Sequence, residues 1–371
     1  MRGKKAHIAP NSKTFHSTDS RKKAPQKLHH PPARSTNDAS ETGKGQALPV
    51  ELELINVIKN SLRDTLSKPD LNEQIQKIKG LLYDKRFLEV FEDEALLGAY
   101  GVRWVPSRSL AFRELMEELD PVKKAMGLIG RANKGKGKQI AGSDEEDAEK
   151  ALRARVVCIG GGAGSELIAI AAMIRDAQSS GRSSNGLICN VLDIGPFGAL
   201  INSFEAGIQE SLSLDSAALD IHFTRCDVLA TPSALEPSPL TSLLHQPAAS
   251  TLITLLFTLT ELFVQSRTQT ILFLRHLTDA APLGSLFLVI DSANEGANAL
   301  EVGAEGRKWN LASVLDGLLT RPPVGAGEDE QKWKCLDKRD SRWYRMREGL
   351  QEEYPVKLEN TRYWMRLYKR V

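Results

Sequence analysis

Arg155-Val-Val-Cys-Ile-Gly-Gly-Gly-Ala-Gly-Ser-Glu166 is the stretch from which the rest of the chain is read. Val156 to Ile159 form an apolar run that leads straight into glycines, the pattern of a buried strand. Leu167-Ile-Ala-Ile-Ala-Ala-Met173 follows and reads as a helix. Strand, glycine loop, helix is the opening of a doubly wound nucleotide-binding sheet. Gly160, Gly161, Gly162 and Gly164 supply a tight turn, close approach of backbone to ligand, and a helix packed on its strand. The helix start, with Ser165 and Glu166, offers unpaired N–H groups to a polar ligand.

The loop by itself reads either as a generic glycine-rich turn or as a ligand-binding motif. The glycines fall as G-x-G-x-G, whereas a dinucleotide fingerprint places its third glycine where Ser165 stands. This loop resembles the first motif of class I S-adenosylmethionine-dependent methyltransferases, which implies S-adenosylmethionine and not NAD as cofactor. That motif usually carries an acid two residues before its first glycine, and Cys158 there is a departure.

Composition bounds the rest. A chain of 371 residues has ample core for one large or two modest domains, and a net charge of +2 does not by itself demand a nucleic-acid partner. Cys158, Cys189, Cys226 and Cys335 are scattered, without a C-x-x-C pair, so no metal site is expected. Three of them lie in apolar runs, as buried thiols of a reducing compartment do. No apolar run reaches membrane-spanning length and no signal peptide opens the chain, so a soluble intracellular protein is expected.

Outward from the glycine loop, four segments are expected. Residues 1–46 form a basic tail with ten Lys or Arg against three acids, too polar to bury a core. It reads as a nuclear address, an RNA-contacting arm or a solvated tail. Residues 47–130 form a helical region. Val50, Leu54, Val57, Ile58 and Leu62 share one helical face, and Leu71, Ile75, Ile78 and Leu82 form a second stripe behind an Asp70/Glu73 capping box. Pro106 is expected to stop one helix and Ser107 to cap the next. Between them Arg103, Trp104 and Arg108 would cluster in one turn, either gripping a phosphate and stacking a base, or with Trp104 in the core and the arginines on the surface. Residues 131–150, Lys-Gly repeats followed by an acidic run, are a linker.

Residues 151–371 alternate strand and helix. Leu187 to Asp193 reads as a second strand, with Asp193 at its tip, and Asp220 to Phe223 as a third, with Asp227 just beyond. Thr251 to Phe257 reads as a buried fourth strand. Thr258-Leu-Thr-Glu261 stands at its end, where ligands bind in open α/β sheets. A helix is expected over 262–278, and Ser285 to Ile290 is the fifth strand, with Asp291 at its tip. Strands at Trp343-Tyr-Arg and Arg362 to Val371 close the sheet. The fold expected is α/β: a seven-stranded, mostly parallel class I methyltransferase (Rossmann-like) sheet with helices on both faces, plus the N-terminal helical region. Lysines and arginines from Lys332 to Arg347 interleave with Trp333, Trp343 and Tyr344, which favours an RNA partner.

Four stretches carry a sharper resemblance: Val156 to Glu166, Leu255-Leu-Phe-Thr-Leu-Thr-Glu-Leu262, Arg103-Trp-Val-Pro-Ser-Arg108 and Leu358-Glu-Asn-Thr-Arg-Tyr363. Together they resemble the fungal 25S ribosomal RNA uridine-N3 methyltransferases, over about residue 48 to the end. The resemblance implies a large-subunit ribosomal RNA substrate, the pre-ribosomal large subunit as partner, and a nucleolar or cytoplasmic place of work. Within this class of fold an acid at Asp193 holds the ribose hydroxyls and one near Asp227 faces the adenine amino group. Gly160, Gly161, Gly162, Gly164, Glu166 and Thr258 complete the expected cofactor set. Glu261 and Asp291, the acids nearest strand tips, are the candidate bases for an acceptor that must lose a proton, with a capping or cofactor-contacting role as the alternative for each. Arg103, Trp104, Arg108, Arg342, Trp343 and Tyr344 are the candidate RNA contacts. The alternatives are a methyltransferase for a protein or small molecule, and a non-catalytic ribosome-assembly factor of the same fold.

Overall fold

The computed structural model describes residues 46–129, 152–182, 185–230, 237–293, 299–302, 307–321 and 331–371. The expected tail, apart from Gln46, and the whole linker over 131–150 lie outside the described residues.

Parallel strands β1 (Ala154–Ile159), β2 (Leu187–Asp193), β3 (Leu219–Arg225), β4 (Thr251–Leu256) and β5 (Leu286–Ser292) form the body of the sheet. β6 (Ala299–Val302) and β7 (Arg307–Asn310) pair only with each other, antiparallel. β8 (Trp333–Tyr344) and β9 (Thr361–Arg370) run antiparallel, and β9 slots between β5 and β8. The order is β3-β2-β1-β4-β5-β9-β8, the seven-stranded arrangement expected. β1 is buried at every position and splits its side chains between two cores, Val156 and Cys158 on one face, Val157 and Ile159 on the other.

Among the described residues six helices precede the sheet: α1 (Pro49–Ser61), α2 (Arg63–Leu66), α3 (Leu71–Tyr83), α4 (Phe87–Phe91), α5 (Glu94–Glu118) and α6 (Asp120–Ala125). Within the sheet region come α7 (Ser165–Ser179), α8 (Gly198–Leu212), α9 (Pro239–Leu244), α10 (Leu259–Gln265), α11 (Arg267–Ala280) and α12 (Leu311–Thr320). Leu54 of α1, Val102 and Leu110 of α5, Ile168 of α7 and Ile208 of α8 join one continuous core with Val156 and Leu367 of the sheet. The N-terminal helices are therefore part of the same packed body as the strands. Leu240, Leu262, Phe273 and Leu315, from α9 to α12, fill the other face. Among the described residues no helix is long and apolar enough to cross a membrane.

Five local expectations are corrected. Pro106 does not stop a helix; α5 runs through it for 25 residues. A proline lacks the N–H that would reach the carbonyl four residues back, here Val102, and the Tyr354 hydroxyl donates to that carbonyl instead at 2.9 Å. Ser107 caps nothing, because its hydroxyl accepts the Glu359 N–H at 3.0 Å. The Asp70 side chain makes no cap bond and accepts from the Gln74 amide instead. The helix expected over 262–278 is two helices broken at Ser266, whose backbone is extended and whose hydroxyl accepts the Gln269 N–H. β8 begins ten residues earlier than its sequence reading, at Trp333. Charged residues on its exposed side, such as Lys334 and Lys338, conceal the alternation; an edge strand tolerates and uses them.

Candidate active site

The loop after β1 is locked to the tip of β2. Gly160 and Gly164 take left-handed backbone angles, φ +71° and +82°, which side chains disfavour, and Gly164 is the N-cap of α7. Gly162 answers a different need, which is space. A Cβ there would overlap the Asp193 carboxyl and the Phe197 ring. In return the Gly162 N–H donates to Asp193 Oδ2 at 2.9 Å, and the Gly195 N–H donates to Oδ1 at 3.0 Å. Glu166, in the first turn of α7, lies behind Gly161 and accepts from the Thr254 hydroxyl at 2.8 Å. Thr258 is buried against Gly160.

These groups open onto a cleft of about 760 Å³, its mouth included. The cleft lies outside the carboxyl ends of β1, β2 and β4, where open α/β sheets bind ligands. Asp193, Asp227, Thr258 and Glu261 line it from the sheet side. The N-terminal helices build the opposing wall from Phe91, Tyr100, Arg108 and Phe112. Its rings pack on one another: Phe91 meets Tyr100 edge-on at 5.2 Å, and Phe112 stacks on Phe257 at 5.9 Å.

Burial sets the electrostatics. It pushes the Asp193 carboxyl up to about 6, with the Gly195 and Gly162 N–H groups opposing. Glu166 rises to about 8 by burial, with the Thr254 hydroxyl opposing. Glu261 stands well above the usual carboxylate range, again by burial, with the Arg108 cation opposing. Desolvation disfavours charge in each case.

Most expected cofactor residues converge. Gly160, Gly161, Glu166, Asp193 and Thr258 line one surface, Gly162 braces Asp193 from behind it and Gly164 caps α7, and Asp227 reaches the cleft while its Oδ1 accepts the Leu229 N–H. A carboxylate bonded to two backbone N–H groups still has lone pairs for a vicinal diol. The residues fit S-adenosylmethionine: Gly162 has no room for a side chain, Asp193 is fixed at the strand tip, and an aromatic wall closes the far side.

The two candidate bases separate. Glu261 faces the cleft. Asp291 is 2% exposed, and its oxygens accept the Thr260 N–H at 2.8 Å and the Ser292 N–H at 2.7 Å. It pins the start of α10, the capping alternative for this residue, and does not line the cleft.

The RNA candidates scatter. Arg103, Trp104 and Arg108 lie on α5 and not in a turn. Arg103 is buried and ion-paired with Glu359, and Trp104 stacks on Tyr100 with ring centroids 4.8 Å apart. Arg108 enters the cleft. Arg342 pairs with Glu118. Tyr344 is wholly buried, so it offers no face to a base, which corrects its reading as a stacking residue. Trp343 is 41% exposed and carries the guanidinium groups of Arg345 and Arg362 over its ring, at 5.2 and 5.8 Å. Sequence reading missed Tyr100, Phe112, Phe197 and Phe257 as cleft residues. Only Phe257, at the end of an apolar strand, carried any signal.

The sheet order, the glycine cradle and the acid at the tip of β2 define a class I S-adenosylmethionine-dependent methyltransferase. A family model described as "Putative SAM-dependent methyltransferase" matches residues 58–369, and the chain belongs to that family. The chain is 29% identical over 321 residues to the 25S rRNA (uridine(2843)-N(3))-methyltransferase of Saccharomyces cerevisiae, a match spanning 81% of this chain and 78% of that one. Among solved structures, a SAM-dependent methyltransferase from Methanosarcina mazei is 11% identical, covers 58% of this chain and 92% of its own, and has a TM-score of 0.35. An O-methyltransferase family protein from Burkholderia thailandensis is 12% identical, with 82% and 73% covered and a TM-score of 0.35. Overlaps this loose say nothing of substrate.

Proposed function

We propose that this chain methylates N3 of a uridine in large-subunit ribosomal RNA. The likeness to the yeast uridine-N3 enzyme carries the reading. The site supports it. S-adenosylmethionine supplies a methyl carbon on a positively charged sulfur, so the protein has to align the acceptor and free its lone pair. Uridine N3 bears a proton, and Glu261 is a cleft carboxyl that burial makes more basic than an ordinary carboxylate. Phe257-Thr-Leu-Thr-Glu261 after β4 has none of the Asn/Asp-Pro-Pro-Tyr/Phe pattern typical of amine acceptors. N3 lies on the pairing edge, so the base has to be unpaired and turned out, at a cost of ~a few kcal/mol. The aromatic wall from α4 and α5 offers it stacking.

In this reading residues 47–130 build the acceptor wall of the methyltransferase domain over 151–371. The basic tail over 1–46 and the Trp343 patch add RNA affinity, and the place of work is the nucleolus, where large-subunit precursors are made. Incubating the enzyme and cofactor with unmodified large-subunit RNA, then analysing nucleosides by mass spectrometry, tests the reading. The expected product is 3-methyluridine. A ribose methyl, 5-methylcytidine or no product overturns it.

A further inference from the structure

Arg108 is an unusual cation. It projects from α5 into the cleft and is held by rings on two sides, its guanidinium carbon 5.6 Å from the Tyr100 centroid and 5.0 Å from that of Phe257. Nη1 donates to the Tyr100 hydroxyl at 2.6 Å. Five N–H donors sit on a guanidinium, and the other four have no partner among the described residues. Several acids face it: Glu166 on α7, Glu261 on α10, and Asp291 at the tip of β5, each held down by its charge. Asp193 lines the same cleft from β2, and Tyr100 shares Arg108's own helix. No carboxylate stands within ion-pairing distance of Arg108 among the described residues. The clamp also has a backbone cost. Phe257 holds a left-handed φ of +60°, uncommon outside glycine and concentrated at functional positions.

A cation fixed by rings and left unneutralised in a buried cleft is preorganised for negative charge that appears during reaction. Resting on the uridine-N3 reading above, we propose that Arg108 is a catalytic residue that stabilises the uracil ring as it loses its N3 proton. The N3–H bond breaks and its proton passes to the Glu261 carboxylate. The electron pair left on N3 delocalises onto O2 and O4, and one of those oxygens accepts from the Arg108 guanidinium. The N3 pair then forms the bond to the methyl carbon as the carbon–sulfur bond breaks, and the sulfur keeps that pair to become a neutral thioether. The ring ends neutral, the sulfonium charge is gone, and the proton leaves Glu261 for solvent. Arg108 thus answers a charge that exists only between ground state and product, where an interaction raises turnover more than affinity.

The test uses the full chain with Arg108→Ala and Arg108→Lys, and ribosomal RNA transcribed with uridine or with 5-fluorouridine, whose N3 proton is more acidic. Wild type on uridine RNA comes first, with 3-methyluridine expected; any other product removes the acceptor and with it both readings. With 3-methyluridine confirmed, Arg108→Ala is expected to slow turnover about a hundredfold or more, the scale of a lost transition-state donor. On 5-fluorouridine RNA the deficit shrinks to less than tenfold, because less help is needed to carry the charge. The variant's rate also keeps rising at pH values where wild type has levelled. Calorimetric affinity for S-adenosylmethionine stays within a factor of about three. Arg108→Lys keeps the charge without the planar clamp and falls between; it serves alone, by the same comparisons, should the alanine variant not fold. An equal deficit on both RNAs, or a cofactor affinity that falls in step with turnover, overturns the proposal while leaving the acceptor intact.

Discussion

Gly162 shows how a single position ties the loop to the ligand. Its amide holds the Asp193 carboxyl, and the space a Cβ would take is that carboxyl's own. Gly162→Ala therefore drives Asp193 off the strand tip, although alanine is the smallest possible change. We expect cofactor affinity to fall about a hundredfold, ~2.7 kcal/mol, by calorimetry on a variant that still melts cooperatively. Unchanged affinity sinks the assignment of this loop. The spacing of the glycines made this position readable, because close backbone approach leaves glycine as the one residue that fits. Arg108 and Tyr344 stand among the sequence's candidate RNA contacts, and their places, one in the cleft and one in the core, were not readable. Each sits in a mixed polar and aromatic run, and only the path of α5 and the pairing of β8 decide that one enters the cleft and the other the core.

Helix α5 is where local reading failed for an identifiable reason. Proline and serine at 106 and 107 are strong signals of a helix boundary. The signal was overruled by Tyr354, 252 residues beyond Val102, which bonds the Val102 carbonyl that Pro106 orphans. Arg103 pairing with Glu359, and the Glu359 N–H on Ser107, complete the seam. Two of the stretches carrying the family resemblance, 103–108 and 358–363, thus meet each other. Tyr354→Phe should cost ~1–3 kcal/mol, the penalty of a buried unpaired carbonyl. In a Pro106→Ala background, where residue 106 regains its N–H, the same change should cost less than half as much. Denaturant melts of the four proteins give the coupling, and additive losses would show that the hydroxyl does not substitute for the missing amide. β1, β2 and β4 were legible because buried parallel strands are continuous apolar runs.

Across the whole molecule, burial has raised three carboxyls that line one cleft, Asp193, Glu166 and Glu261, and a fourth, Asp291, buried outside its lining. The sign follows from linkage. A carboxyl raised on folding binds more protons in the native state than in the unfolded one, so stability declines as pH rises through that interval. For Glu166 the contribution is complete below its ordinary 4.5 and lost by about 8. Without cofactor, the midpoint of thermal unfolding should fall between pH 5.5 and 8. Glu166→Gln, neutral throughout and still able to accept from Thr254, should flatten that fall. Calorimetric scans across this range check it, and a wild-type slope identical to that of the variant contradicts the burial argument.

The seam between α5 and Tyr354 also has a history in time. At synthesis rates of roughly 5–20 residues per second, the 252 positions from Val102 to Tyr354 take roughly 13–50 s to emerge. For that interval a nascent α5 lacks the donor its proline requires, and the apolar face that will meet β9 is bare. The seam that completes α5 therefore closes only near the end of synthesis.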